Sequence, residues 1–402
     1  MSVSVLFKVY QRRCTHYVNA DSAVRPLLRL YSVCYYPQHV SLSLEADSRS
    51  IKSCWSQLRV DALTVSFEQL MKWVFLLGFV ASARAAITQE QIYDAEFQHF
   101  KERYGKTYGS KAVEAKRREI YIDNSRMIVA HNARYDRSEV SYRLKMNQFG
   151  DMPHDEFLAM FGRYVQINNT HLGSTWIEPK FVEMPDSVDW RERGAVTRVK
   201  NQGSCGSSWA FAATGAVEGQ MFRKTGKLIS LSEQSLIDCS KRYGNYGCDG
   251  GNIDEAFETI RETPGIVTED KYPYQAKESR CRFRPQYKGA DVTGYVNIPP
   301  GNEHALTKAV ATYGPIAVSL DIDGHFKFYQ DGVYSPTECS SKKLSHAMLV
   351  VGYGQTDDRP RINYYIVKNS WGKTWGKEGY VFIARNANNK CGIASEASFP
   401  LI

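Results

Sequence analysis

The chain is short of several features that would otherwise set its class. No apolar run approaches the roughly 20 residues that a membrane-spanning helix needs, so no membrane span is read from it. No basic run is dense enough to hold nucleic acid or an anionic membrane: the formal net charge is +8, but Lys, Arg, Asp and Glu are interleaved. There is no Cys-x-x-Cys pair, which argues against a metal site, and no cofactor is expected. No internal repeat and no low-complexity tract interrupts the chain, which sets aside solenoids. What remains is 402 residues with 43% hydrophobic and 12% aromatic content, enough for two or three domain-sized pieces with packed cores.

Residues 1–70 carry Cys14, Cys34 and Cys54 at no recognisable spacing, with no sustained helical or strand period. Met71-Lys72-Trp73 then opens a short apolar stretch that ends in Ala83-Arg84-Ala85. A basic start, a short apolar middle and an Ala-x-Ala end form the pattern of a secretory signal peptide over 71–85. A signal belongs at the start of a chain, so Met71 reads as the working initiator and 1–70 as an upstream extension. The expected destination is lysosomal or extracellular. The six cysteines beyond the signal are Cys205, Cys239, Cys248, Cys281, Cys339 and Cys391. They read as three disulfides, with spacing alone leaving every pairing open. Asn168-Asn169-Thr170 is a glycosylation sequon.

From Ile87 to about Leu172 the pattern is charged and helical. Glu96, Phe97, Phe100 and Tyr104 suit one amphipathic helix. A second helix is expected from about Lys111 to Arg134, with Arg117, Tyr121, Asn124, Ile128 and Asn132 falling three and four apart along one face. A linker follows from Gly173 to Val182. The rest is organised around Asn201-Gln202-Gly203-Ser204-Cys205-Gly206-Ser207-Ser208-Trp209-Ala210-Phe211, a glycine-rich turn running into an apolar helix. The free N–H groups and dipole of a helix start suit a nucleophile whose anion needs stabilising. The residue standing there is Ser208.

This stretch resembles the active-site segment of papain-family cysteine peptidases, in particular the cathepsin L branch. That family has Gln-Gly-x-Cys-Gly-Ser-Cys-Trp-Ala-Phe, and its second cysteine is the nucleophile. Here that position is Ser208, as in silicateins and testin-like homologues. The helix-face residues resemble the Glu-Arg-Phe-Asn-Ile-Asn motif of cathepsin L-type propeptides, with Tyr121 for the aromatic and Val113, beside Glu114, at the first position. Asn147-x-Phe149-x-Asp151 resembles a second propeptide motif, led here by Lys145. Met184-Pro185-Asp186-Ser187-Val188-Asp189-Trp190 resembles the start of a mature enzyme, with processing expected near Glu183 or Met184.

The resemblance covers Ile87 to Ile402 and implies an α+β, papain-like two-domain fold. A helical left domain would hold Ser208, and a β-barrel-like right domain would hold His346 and Asn369. A helical inhibitory propeptide over 86–183, released at acidic pH, would precede a peptidase domain over 184–402. The implied disulfides are Cys205–Cys248, Cys239–Cys281 and Cys339–Cys391, which leaves no thiol over in the mature region. A monomer acting on a peptide or protein substrate, with its own propeptide as inhibitor, is implied as well.

Carried over position by position, Ser208 takes the nucleophile's place and His346 the general base's place. Asn369 would orient the imidazole, and Trp371 would shield that bond. Gln202 and the Ser208 backbone N–H would form the oxyanion hole. Gly250-Gly251 would pair with extended substrate, glycine allowing close approach. Ile253, Ala347 and Glu396 would line the pocket for the second residue upstream of the cut, with apolar and basic side chains both accepted.

The serine changes the chemistry. A thiol in such a site ionises before substrate arrives, whereas a hydroxyl must lose its proton during attack. A misplacement on the order of 1 Å costs about a hundredfold in rate. Three readings follow: a peptide- or partner-binding homologue with little activity, a working Ser-His-Asn site as in the silica-condensing silicateins, or a cysteine peptidase with a misread codon. The His346-Ala347-Met348 context resembles that of the silicateins, whereas Trp209 and the lack of a serine-rich tract near His346 do not favour that subgroup.

Overall fold

The computed structural model describes residues 88–166, 173–180, 184–357 and 359–402, with the backbone of four strands between 9 and 41. The signal-like segment 71–85 and the sequon at Asn168 lie outside the described residues, as does the rest of 1–70. Val9–Gln11, Cys14–Val18, Leu30–Tyr36 and His39–Ser41 pair antiparallel in chain order, where the sequence shows no strand period. They belong to a unit, Met1–Ala86, separate from Ile87–Ile402.

Within the larger unit, helix α1 (Gln89–Tyr104) starts on a reciprocal cap: Thr88 Oγ1 accepts from Gln91 N–H, and Gln91 Oε1 accepts from Thr88 N–H. It stops at Gly105, which turns the chain with φ 61°. Helix α2 (Lys111–Asp136) starts on Ser110 and runs two residues past the expected end. Phe97 and Phe100 of α1 close on Tyr121 and Ile122 of α2 to make a small core. Outward from it, the motif face of α2 is a polar clasp. Arg117 grips Glu156 at 2.7 and 3.0 Å, Asn124 Nδ2 donates to Gly150 O at 2.9 Å, and Asn132 exchanges two bonds with the backbone of Leu144. Glu114, one residue off the motif's first position, pairs with Lys101. A third helix, α3 (His154–Phe161), falls within the stretch to about Leu172 that reads as helical, although the sequence sets no bounds for it.

The sheet carries, in spatial order, Tyr142–Leu144, Tyr329–Tyr334, Tyr380–Ala384, Asn363–Lys368, His346–Gln355, Ile316–Leu320, Glu396–Leu401, Gly294–Asn297 and Ser174–Thr175. Val188–Asp189 pairs on His346–Gln355. Ser174–Thr175 corrects the linker expected over 173–182: it adds parallel to Val296–Asn297, and Trp176 packs on Tyr313 and Phe399. Two residues are too few to show a strand period. The helical half is built on α4 (Ser208–Thr225), α5 (Glu233–Cys239) and α6 (Ile253–Glu262), while α7 (Glu303–Tyr313) lies beside the sheet. Disulfides join Cys205 to Cys248, Cys239 to Cys281 and Cys339 to Cys391. Among the described residues no helix is long and apolar enough to cross a membrane.

Candidate active site

Ser208 is the first residue of α4 and only 1% exposed. The turn before it is held from three sides. Cys205 is bridged to Cys248, Gly206 N–H donates to Cys248 O at 2.9 Å, and the Ser207 and Tyr274 hydroxyls meet at 2.8 Å. Tyr274 O–H also reaches Gln202 O at 2.7 Å. The Gln202 amide is fully buried, its Nε2 donating to Cys205 O at 2.9 Å and its Oε1 accepting from Ser370 Oγ at 2.6 Å. Ser208 Oγ accepts from Ala347 N–H at 3.2 Å.

His346 heads the strand His346–Gln355 and is fully buried. Its Nε2 stands 2.9 Å from Asn369 Oδ1, and its ring lies 4.7 Å from that of Trp371. Its Nδ1 faces Phe161 O, the last residue of α3, at 3.2 Å. Among the described residues no hydrogen bond joins Ser208 to His346. Asn369 Oδ1 also accepts Ser370 N–H at 2.8 Å, which fixes which way the amide points. Both ring nitrogens therefore face acceptors, and only an imidazolium could serve both. Burial works against that charge and drives His346 down to about 4, although its two bonds favour the cation. A hydroxyl at position 208 supplies no anion to hold the proton on.

The family model for papain family cysteine proteases matches residues 184–401, and that for the cathepsin propeptide inhibitor domain matches 97–157. The chain belongs to the papain family. It is 46% identical to a cathepsin L-like peptidase of Aedes aegypti, over 82% of this chain and 99% of the relative. It is 46% identical to human cathepsin L2, over 81% and 98%. Among solved structures it is similar to a digestive procathepsin L 3 of Tenebrio molitor larval midgut, with 44% identity, a TM-score of 0.72, and 77% of this chain and 99% of that one covered. It is thus a cathepsin L-like, papain-family proenzyme with an inhibitory propeptide domain.

In this papain-family chain the prosegment is docked on the site. Phe149, Phe157 and Phe161 ring the indole of Trp371 at centroid distances of 5.7, 5.2 and 5.7 Å. Trp371 is 1% exposed, packed between these prosegment rings and those of Phe326, Trp375 and His346. Asn147 Nδ2 donates to Lys327 O at 2.6 Å, and Lys327 Nζ donates to Met152 O at 2.6 Å. Across Gly250 the prosegment comes so close that a Cβ there would lie 2.2 Å from Arg163 O, and φ is +120°. At Gly251 a Cβ would strike the indole of Trp209. Both positions of the glycine pair are therefore closed to side chains. Tyr164 belongs to the same apolar cluster as Ile253 and Ala347, and its hydroxyl donates to Glu396 Oε2 at 2.7 Å.

Under the site is a charge network that the sequence did not point out. Lys200 Nζ, 9% exposed, bonds Glu218 Oε1 at 3.1 Å, Glu233 Oε1 at 2.6 Å and Leu231 O at 3.0 Å. Thr214 of α4 adds a bond to Glu233 Oε1, and Lys368 Nζ reaches Thr197 Oγ1 at 3.0 Å. Burial raises the Glu233 carboxyl and lowers Lys368 to about 8. Lys200 is two residues before Gln202, and Lys368 is next to Asn369. The network thus braces both halves of the site from below.

Proposed function

We propose that the chain is a lysosomal or secreted cathepsin L-like proprotein whose cleft binds extended peptides, and whose hydrolytic step is slow because Ser208 stands at the nucleophile's position. In this reading His346 is the base, Asn369 orients it, and Gln202 Nε2 with the Ser208 N–H form the oxyanion hole. The observation that carries it is the pairing at the site. Ser208 Oγ takes the Ala347 N–H, and the neutral His346 faces Phe161 O rather than Ser208. All six cysteines of 184–402 are in disulfides, so no other thiol of that region can substitute. The secretory destination rests on the signal-like segment over 71–85 and on the disulfides. The protein acts as a monomer once the prosegment has gone.

The test is to express Met71–Ile402, incubate it at acidic pH, and compare cleavage of a fluorogenic peptide with that by Ser208→Cys. The expected result is a parent about a hundredfold or more slower than the variant. A parent within tenfold of Ser208→Cys, insensitive to thiol reagents and silenced by His346→Ala, would overturn this in favour of a Ser-His-Asn hydrolase. Silence from both proteins would remove the peptidase reading.

A further inference from the structure

Tyr164 of the prosegment occupies the side-chain pocket beside the Gly250-Gly251 strip, and it is held there by more than shape. Its main chain adds on like a strand: Tyr164 N–H donates to Ser345 O at 3.0 Å and Val165 N–H to Gly251 O at 2.9 Å. At the floor of the pocket its phenol donates to Glu396 Oε2 at 2.7 Å and accepts from Asn252 Nδ2 at 2.9 Å. A phenol has one proton to give and a lone pair to receive one. This pocket answers both.

Neither partner is free to turn away. Asn252 is the cap of α6, its Oδ1 accepting Asp254 N–H at 2.8 Å, and its own N–H donates to Asn245 Oδ1 at 2.7 Å. With Oδ1 committed to the helix, Nδ2 must face the pocket, where it also reaches Val165 O at 3.0 Å. With Tyr164 and Val165 in place Asn252 is 4% exposed. Glu396 starts the strand Glu396–Leu401, in register with Ser319, whose Oγ approaches Glu396 Oε2 at 3.5 Å. Burial raises the Glu396 carboxyl.

We propose that this pocket is a tyrosine-selective subsite, in which Asn252 and Glu396 choose a ligand side chain by its phenolic hydroxyl. The inference rests on the peptide-binding reading of the cleft. Phenylalanine or leucine would set an apolar group against the Asn252 amide and the Glu396 carboxylate and answer neither, a defect that sites built for a hydroxyl reject strongly. Arginine would satisfy Glu396 but set its own N–H groups against those of Asn252. The tolerance for apolar and basic side chains expected from Glu396 alone is thereby narrowed to the phenol.

The experiment uses the secreted protein after acid processing, whose slow chemistry lets binding be measured by calorimetry. The probes are acetyl-Leu-Xaa-Arg-amide peptides with Xaa as Tyr, Phe, Leu or Arg. Tyrosine is expected to bind at least tenfold more tightly than any of the others. Asn252→Leu should bring the Tyr-to-Phe ratio close to one. Glu396→Leu should do the same, and it stands in if the loss of the helix cap prevents Asn252→Leu from folding. Equal binding of Tyr and Phe peptides by the parent overturns the subsite and leaves the cleft reading in place. No binding of any peptide overturns the cleft reading, and the subsite falls with it.

Discussion

Lys200→Met is the substitution whose effect the structure sets most sharply. Methionine keeps the length of the side chain and removes only the ammonium. What it leaves behind is Glu218 and Glu233, 1% and 0% exposed, with the three bonds of Lys200 Nζ gone. Breaking one partner out of a buried ion pair costs about 3–5 kcal/mol, because the other charge stays buried. With a urea m-value of roughly 3 kcal/mol/M for a domain of this size, the unfolding midpoint should fall by about 1 to 1.7 M. The assay is urea unfolding of the oxidised proprotein, followed by tryptophan fluorescence, with refolding from urea as the check on reversibility. The companion Lys200→Met/Glu218→Gln/Glu233→Gln removes the stranded charges and should recover most of the loss. A midpoint within 0.3 M of the parent (about 1 kcal/mol on the same m-value) would refute the reasoning, since it would mean that water reaches the two carboxylates.

Two further predictions concern the prosegment. His131 is buried against Tyr142 and beside the His325 ring at 5.0 Å, with Arg134 and Asp323 as the other charges it feels, and burial lowers its pKa below the usual 6.5. The docked prosegment therefore binds fewer protons than the free one, so this contribution is complete above the free value and is lost as pH falls through it. His131→Gln, which keeps a donor for Tyr142 O, should move half-release to more acidic pH by tryptophan fluorescence, and an unchanged midpoint would count against the idea. Phe161→Ala removes a ring packed on Phe149, Phe157 and Trp371. At about 3–5 kcal/mol for such a truncation, amide exchange across 154–161 should quicken roughly a hundredfold or more; a change of only a few-fold would mean that the aromatic cluster does not hold the prosegment down.

The parts of the molecule that could be read beforehand are those whose signal is local. The turn from Gln202 to Phe211 carries its glycines, its cysteine and its apolar helix in one stretch, and it folds as a turn into α4. His346 opens an unbroken apolar run, and the strand begins on it. The spacing on α2 was legible as a face, but not as a polar clasp, because what Arg117, Asn124 and Asn132 hold lies a turn and a strand further on. Lys200, Glu218 and Glu233 look like ordinary surface charges in a mixed-charge chain, and only the tertiary fold brings them together out of water. Asn252 has the sequence context of a plain helix cap. That its amide would face a ligand pocket depends on where α6 sits beside the strand from Glu396.

The strand Tyr142–Leu144 has a consequence for the protein after processing. It is the terminal strand of the sheet, paired antiparallel on Tyr329–Tyr334. Removing the prosegment uncovers that row of backbone N–H and C=O groups, a template on which another chain can pair. The newly bared strand is poorly suited to such growth. Its register breaks between Tyr329 and Asp331, Asp331 puts a charge on the rim, and Gly332 turns with φ +83°. A kinked, charged edge resists aggregation, so the strand that accepts the prosegment is also shaped to stand alone without it.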